Sequence, residues 1–327
     1  MDRRTLLKGL GAAAVGAPVV SLAGAGSAQA AETYHVALCE QAKNQILIHA
    51  RDKAWTPANE IWRWTPPVAI DENGKNTWTL LSDIKFRDTS AFGWVALVTA
   101  SYGKVGIVNI GDDDALLWSA RPYGNPHAIE RIPNVGAIVT ASSEASYRVD
   151  WPGFLTVYAP TRVDDPSTLT RVQEISFQGA HGLWYDGSYL WALGTWTLAK
   201  YVITGDHLDT RLVEVWKHTF PERYNGHSLD TDYSDPRYLL MSGGGVVQRV
   251  NKATGAISSW TPSGGGVKSY SRVASGSSFW QRATEEWWSH RIQFFDSSGA
   301  FVENKELSGY GYAARFYKAR VSSAAFS

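Results

Sequence analysis

The chain has 327 residues, with 31 basic and 31 acidic side chains and a formal charge of zero at neutral pH. That balance excludes the broad cationic surface that tracks nucleic acid, and it gives no polybasic attraction to an anionic membrane. A single cysteine, Cys39, excludes an intrachain disulfide, so the fold must rest on its core, to which fifteen Trp and fifteen Tyr contribute heavily.

Residues 1–30 read as a targeting segment. Arg3-Arg4 stands ahead of Leu6-Leu7-Lys8, an apolar Ala/Gly-rich run follows from Gly9 to Gly26, and Ala28-Gln29-Ala30 supplies the small residues of a cleavage site. The paired arginines point to twin-arginine export and a secreted product. An ordinary secretory signal is the alternative; the run is too short and too rich in small residues for a membrane anchor. Removing it leaves about 300 residues, 31–327, read as one large β domain.

From His35 onward no long stretch has helical periodicity. A β-rich run, a turn, a second run and a Gly/Asn/Asp/Ser break recur about every forty to fifty residues. His35–Glu40 with Gln45–His49 starts the series. Val95–Ser101 with Val105–Asn109, Ala137–Ser142 with Phe154–Tyr158, and Tyr189–Gly194 with Leu198–Val202 continue it. Tyr238–Ser242 with Val246–Val250 and Ser278–Arg282 with Arg291–Phe295 complete six copies. More polar runs such as Ile61–Trp64 and Glu214–Lys217 suit exposed outer strands. The first copy lacks a leading strand, whereas Ala313–Val321 is a strand without a copy. These observations predict an all-β, six-bladed β-propeller with four antiparallel strands per blade, its first blade closed by the C-terminal strand. A seven-bladed ring needs a copy the sequence does not contain; a β-sandwich is the other alternative.

In a propeller, the starts of the inner strands and the turns between second and third strands share one face, so their side chains converge. Three inner strands begin alike, with His127, His181 and His227 each followed two places later by an apolar residue. Aligning Asp186–Trp191 with Ser275–Trp280 puts Tyr270 at the equivalent place, and Lys85 or Arg87, and Arg315, are offered by the other two blades. Around them the same-face turns carry Glu40, Glu144, Tyr147, Arg148 and Trp196 as candidate substrate-binding residues. Three readings stay open. The imidazoles could share a divalent metal such as manganese, calcium or zinc. They could act as general base and acid, with arginines stabilising an oxyanion. Or they could bond backbone between blades without chemistry. The serine-hydrolase elbow and the zinc-protease His-Glu pair are both absent from the sequence.

The inner-strand histidines together with the export signal make the chain resemble a group of secreted bacterial and fungal propellers of unknown function. More distantly, the His- and Arg-lined channel is similar to that of propeller-fold polysaccharide lyases. That likeness implies imidazole or tyrosine as proton acceptor, arginine on a uronate carboxylate and, in some members, manganese held by histidines. The expectation is a secreted enzyme, a polysaccharide lyase or glycoside hydrolase, acting on an acidic glycan. His127, His181, His227 and Tyr270 would be catalytic, and Arg87, Arg315 and Lys85 would bind substrate. A non-catalytic glycan- or protein-binding propeller and a metal-dependent lactonase or oxidase are the alternatives. The partner is expected to be a polysaccharide or oligosaccharide, with no nucleic acid and no membrane in the mature form, and the chain is expected to be a monomer.

Overall fold

The computed structural model describes residues 33–322 apart from 112, 144–151, 261 and 263. The expected export signal and three candidate residues, Glu144, Tyr147 and Arg148, therefore lie outside the described residues. Among the described residues, twenty-four strands form six four-stranded antiparallel sheets.

The first blade contains β1 (His35–Glu40), β2 (Gln45–Ala50) and β3 (Glu60–Trp64). The second is β4 (Leu81–Thr89), β5 (Gly93–Ala100), β6 (Lys104–Asn109) and β7 (Leu116–Ala120). The third is β8 (Asn125–Ile132), β9 (Ala137–Ser143), β10 (Phe154–Ala159) and β11 (Thr170–Ser176). The fourth is β12 (Gly182–Tyr185), β13 (Tyr189–Leu193), β14 (Thr197–Thr204) and β15 (Arg211–Thr219). The fifth is β16 (Ser228–Thr231), β17 (Tyr238–Ser242), β18 (Val247–Asn251) and β19 (Ile257–Ser259). The sixth is β20 (Val267–Arg272), β21 (Ser278–Arg282), β22 (Arg291–Phe295) and β23 (Phe301–Glu306). The last strand, β24 (Phe316–Val321), returns to the first blade as its inner strand, pairing Val36 with Val321 and Leu38 with Ala319. The sheet order β24-β1-β2-β3 thus closes the ring as expected from the orphan strand, and β24 packs between β20 and β4. No described helix is long and apolar enough to cross a membrane.

The apolar runs are continuous because both faces of each blade are buried. Along β5, Val95 and Leu97 enter a cluster with Ile129 and Ile138 of the third blade, whereas Ala96 and Val98 pack with Ile46 and Trp62 of the first. Along β13, Leu190 and Ala192 face the third blade while Trp191 and Leu193 face the fifth. Every blade-to-blade boundary among the described residues has such a cluster, so the core is a ring of interfaces. Most large aromatics serve it: Trp55, Trp78, Trp184 and Trp191 are fully buried. The outer strands alternate, and Phe301 and Val302 of β23 reach solvent.

The segment entering β24 is fastened to the first blade by polar bonds. Glu40 accepts from the backbone N–H groups of Ala42, Lys43 and Arg315 and from the Tyr312 hydroxyl. The Tyr310 hydroxyl donates to Glu60 at 2.7 Å, and Ser308 N–H donates to the Trp55 carbonyl.

Candidate functional site

Six inner strands begin around one end of the central channel, and most carry an irregularity there. The register of β8 against β9 slips between Pro126 and Ala128, leaving His127 as the bulged residue. In β20 the slip falls between Val267 and Ser269 and leaves Lys268; in β4 it falls between Leu81 and Asp83 and leaves Ser82. His181 and His227 stand immediately before β12 and β16 and donate their backbone N–H groups to Leu193 and Ser242 of the adjacent strand. In β24 the slip spans Tyr317 and Lys318. A bulge re-aims its side chain, and here it turns successive blades' residues toward the channel mouth.

The three histidines do come together. The His127 and His181 rings stack with centroids 3.9 Å apart and planes 11° apart, and His227 meets His181 edge-on at 5.3 Å. Lys268 Nζ lies 3.1 Å from His227 Nε2, and the Tyr317 hydroxyl lies 3.2 Å from His127 Nδ1. Beneath them the buried Lys318 ammonium donates to the His127 carbonyl at 2.7 Å and the His181 carbonyl at 3.4 Å. His181, His227 and Lys268 are half-buried and accessible, whereas His127 and Tyr317 are buried.

Hydrogen bonds assign the tautomers. His181 Nδ1 faces the Gly179 carbonyl at 2.9 Å and must donate to it, so Nε2 carries the lone pair. His227 Nε2 accepts from the Lys268 ammonium, so Nδ1 carries hydrogen; that atom is buried with no protein partner. Burial and the neighbouring lysines push all three imidazoles down, His181 to about 3, so each is neutral near pH 7. Burial also lowers Lys318, to about 7, with Asp83 opposing the shift. The phenol of Tyr317 is pushed above its ordinary value by burial and keeps its proton.

This arrangement fits a divalent metal poorly. Imidazole lone pairs lie in the ring plane, so two parallel stacked rings cannot aim at one cation, and the Lys268 ammonium already occupies Nε2 of the third. Among the described residues no group of three His, Cys, Asp or Glu side chains is arranged to hold a metal.

Several candidates lie elsewhere. Lys85 and Arg87 sit deeper in the channel, where both bind Glu130: Lys85 Nζ at 3.2 Å, Arg87 Nη2 at 2.6 and 2.7 Å. Tyr270 is buried between the fifth and sixth blades and accepts from Trp260 Nε1, so Lys268 takes the position expected of it. Glu40 is on the mouth face but fully buried and occupied by the bonds that fasten β24. Trp196 is half-buried in the turn after β13. Arg315 is exposed and its guanidinium lies 5.1 Å from the Trp288 ring centroid. Lys268, Tyr317 and Lys318 were missed. The signal was available: each bulge-layer residue has a buried residue two places on, pairing Ser82 with Ile84, Lys268 with Tyr270 and Tyr317 with Ala319.

Below the mouth the channel is filled by a buried ionic network. Arg320 binds Asp83 through two nitrogens, at 2.9 and 3.1 Å, and reaches Asp230 at 3.5 Å. Asp230 also accepts from Ser271. Lys85, Arg87, Lys318 and Arg320 thus face the carboxylates Asp83, Glu130 and Asp230.

No family model matches the sequence, and no curated protein matches it. Among solved structures, one similar chain is described as a "putative 6-phosphogluconolactonase" from Bacteroides uniformis. It aligns with a TM-score of 0.52 and 12% identity over 84% of this chain and 83% of that one. A chain of the mitotic checkpoint complex aligns with a TM-score of 0.50 and 13% identity, over 83% and 74%. A functionally unknown protein from Desulfotomaculum acetoxidans gives 0.49 and 11%, over 89% and 99%. These likenesses concern the propeller fold alone.

Proposed function

We propose that the mature chain, exported through its twin-arginine signal, is a carbohydrate-active enzyme that cleaves an acidic, uronate-containing glycan by β-elimination at the channel mouth. The observation that supports this reading is the bare His181 Nε2 lone pair with the Lys268 ammonium close by. Lys268 pairs with the uronate carboxylate. His181 Nε2 takes the proton from the carbon next to that carboxylate, and the released electron pair forms a carbon–carbon double bond as the glycosidic C–O bond breaks. The proton that His181 Nε2 has taken then passes to the leaving oxygen, so the imidazole ends the step neutral. The step needs no oxidant.

A free imidazole with a pKa near 3 is a weak base, but a carboxylate brought beside it stabilises its charged form and raises that value. Substrate binding therefore prepares its own base. Elimination suits the mouth better than hydrolysis, because glycoside hydrolysis uses two carboxylates flanking the bond. Glu40 is committed to the β24 closure, and Glu285 and Glu306, also on this face, line a separate cleft of the sixth blade.

The test is product analysis on a panel of uronate polysaccharides with wild type and His181→Ala. New ultraviolet absorbance from unsaturated ends, lost in His181→Ala while the melting transition stays within a few degrees, is the expected result. Reducing ends without absorbance would make the protein a hydrolase, and retention without products would make it a binder. Opening of a sugar-acid lactone without chain cleavage would replace elimination by lactone hydrolysis.

A further inference from the structure

A second concavity opens on the same face. The turn after β21, the start of β22, the end of β23 and the chain entering β24 enclose a cleft of about 310 Å³. Its walls include Thr284, Glu285, His290, Arg291, Glu306 and Ala314. Arg291 and Glu306 are cross-strand partners, and His290 Nδ1 donates to the Ala314 carbonyl at 2.7 Å, leaving Nε2 as an acceptor. Donors and acceptors thus surround a space at the lower end of the roughly 300–1,000 Å³ typical of small-ligand pockets. Mixed polarity on several sides matches a polyhydroxylated ring better than a lone ion, and the cleft holds no metal-binding cluster among the described residues.

The cleft lies a short way along the chain from the mouth. From Ala314 on its wall to Tyr317 in the mouth layer is three residues, no more than about 10 Å of extended chain. Arg315 lies between, exposed, with its guanidinium over Trp288, whose ring in turn meets His290 edge-on at 4.7 Å. Next to it the half-exposed Trp287 is held by its Nε1–H donating to Gln41 Oε1 at 3.0 Å. An indole pinned by its polar edge keeps a fixed apolar face, the kind of surface that stacks on a sugar ring.

Building on the elimination reading, we propose that this cleft is a distal sugar subsite. Arg315 engages a uronate carboxylate on the way to it, so the protein takes a polymer chain rather than a free sugar acid. The test is calorimetric titration of His181→Ala, which cannot consume the probe, with galacturonate monomer and with galacturonate tetramer. Addition of Arg291→Ala follows, with melting temperatures recorded for both variants. Tetramer binding roughly tenfold or more tighter than monomer, a ratio that falls to about one when Arg291→Ala is added, is expected. Equal affinity for both probes, or a ratio untouched by Arg291→Ala, overturns the subsite while leaving the mouth reading standing. Absence of binding by either probe overturns the uronate reading and the subsite together.

Discussion

The mouth and the network beneath it are built on the same six strands, a few residues apart, yet they handle buried polarity in opposite ways. In the lower layer every carboxylate is matched: Glu130 is held by Lys85 and Arg87, Asp83 by Arg320 and Lys318. In the mouth layer the imidazoles are neutral, one lone pair and one N–H group face no protein partner, and the nearest charges are cations. Saturated groups specify the ring. The lone pair of His181 is available to a ligand, and the Lys268 ammonium near it gives that ligand its sign.

The largest expected effect breaks the lower layer. Glu130→Gln leaves two buried cations without their carboxylate and should cost about 3–5 kcal/mol of stability, read by denaturant unfolding. A loss below ~1 kcal/mol would mean that the layers do not differ in the way described. The matching change above, Lys268→Met, should leave the melting temperature nearly unchanged. It should weaken galacturonate binding by roughly tenfold to a hundredfold, the worth of a charge-assisted hydrogen bond. It should also release His227 to the other tautomer, visible in nitrogen-detected NMR.

Acid sharpens the comparison. The three imidazoles stay neutral in the folded chain while those of the unfolded chain take up protons as the pH falls through about 6.5. The unfolded state then binds more protons, so stability present above pH 6.5 is lost progressively below it. Asp83 and Glu130, held below their ordinary values by their cations against the opposing effect of burial, act in the same direction at lower pH; Asp230, raised by burial, opposes them. Melting curves from pH 7 to pH 4 should therefore descend, with a shallower slope in a His127→Gln/His181→Gln/His227→Gln variant. A triple variant as acid-sensitive as wild type would place the effect in the other groups with lowered values, His49, His35 and the carboxylates.

The smallest effect belongs to the ring closure. Tyr312→Phe removes one hydroxyl bond to Glu40 and should cost about 0.5–1.5 kcal/mol in chemical denaturation. A neutral result would show that the backbone bonds of Glu40 suffice without it.

The fold was legible because a propeller blade buries both faces of its strands, so the repeat appears as continuous apolar runs and the orphan strand at Ala313–Val321 has one place to go. The histidines were legible because they recur at one blade position. Lys268 and Tyr317 were not, because bulges shift the inner strands by a residue. An alignment anchored on second strands therefore slid to Tyr270, Lys85 and Arg87, two to five positions past the mouth layer, and to Arg315, two positions before it. Arg87 and Lys85 are cations of the right kind in the wrong layer, and only three-dimensional pairing with Glu130 distinguishes them. Glu40 looks like a free carboxylate at a turn, and nothing local reveals that Arg315 and Tyr312 return from the far end of the chain to occupy it.

The central claim is that the mouth layer is a neutral, unsaturated site completed by an anionic sugar. Nitrogen-detected NMR of the histidine rings, recorded at pH 5 with and without galacturonate tetramer, tests it most directly. The account predicts a neutral His181 ring protonated on Nδ1 in the free protein, moving toward the doubly protonated form when the tetramer binds. A His181 ring already charged at pH 5, or one that bound tetramer leaves unchanged, would contradict it.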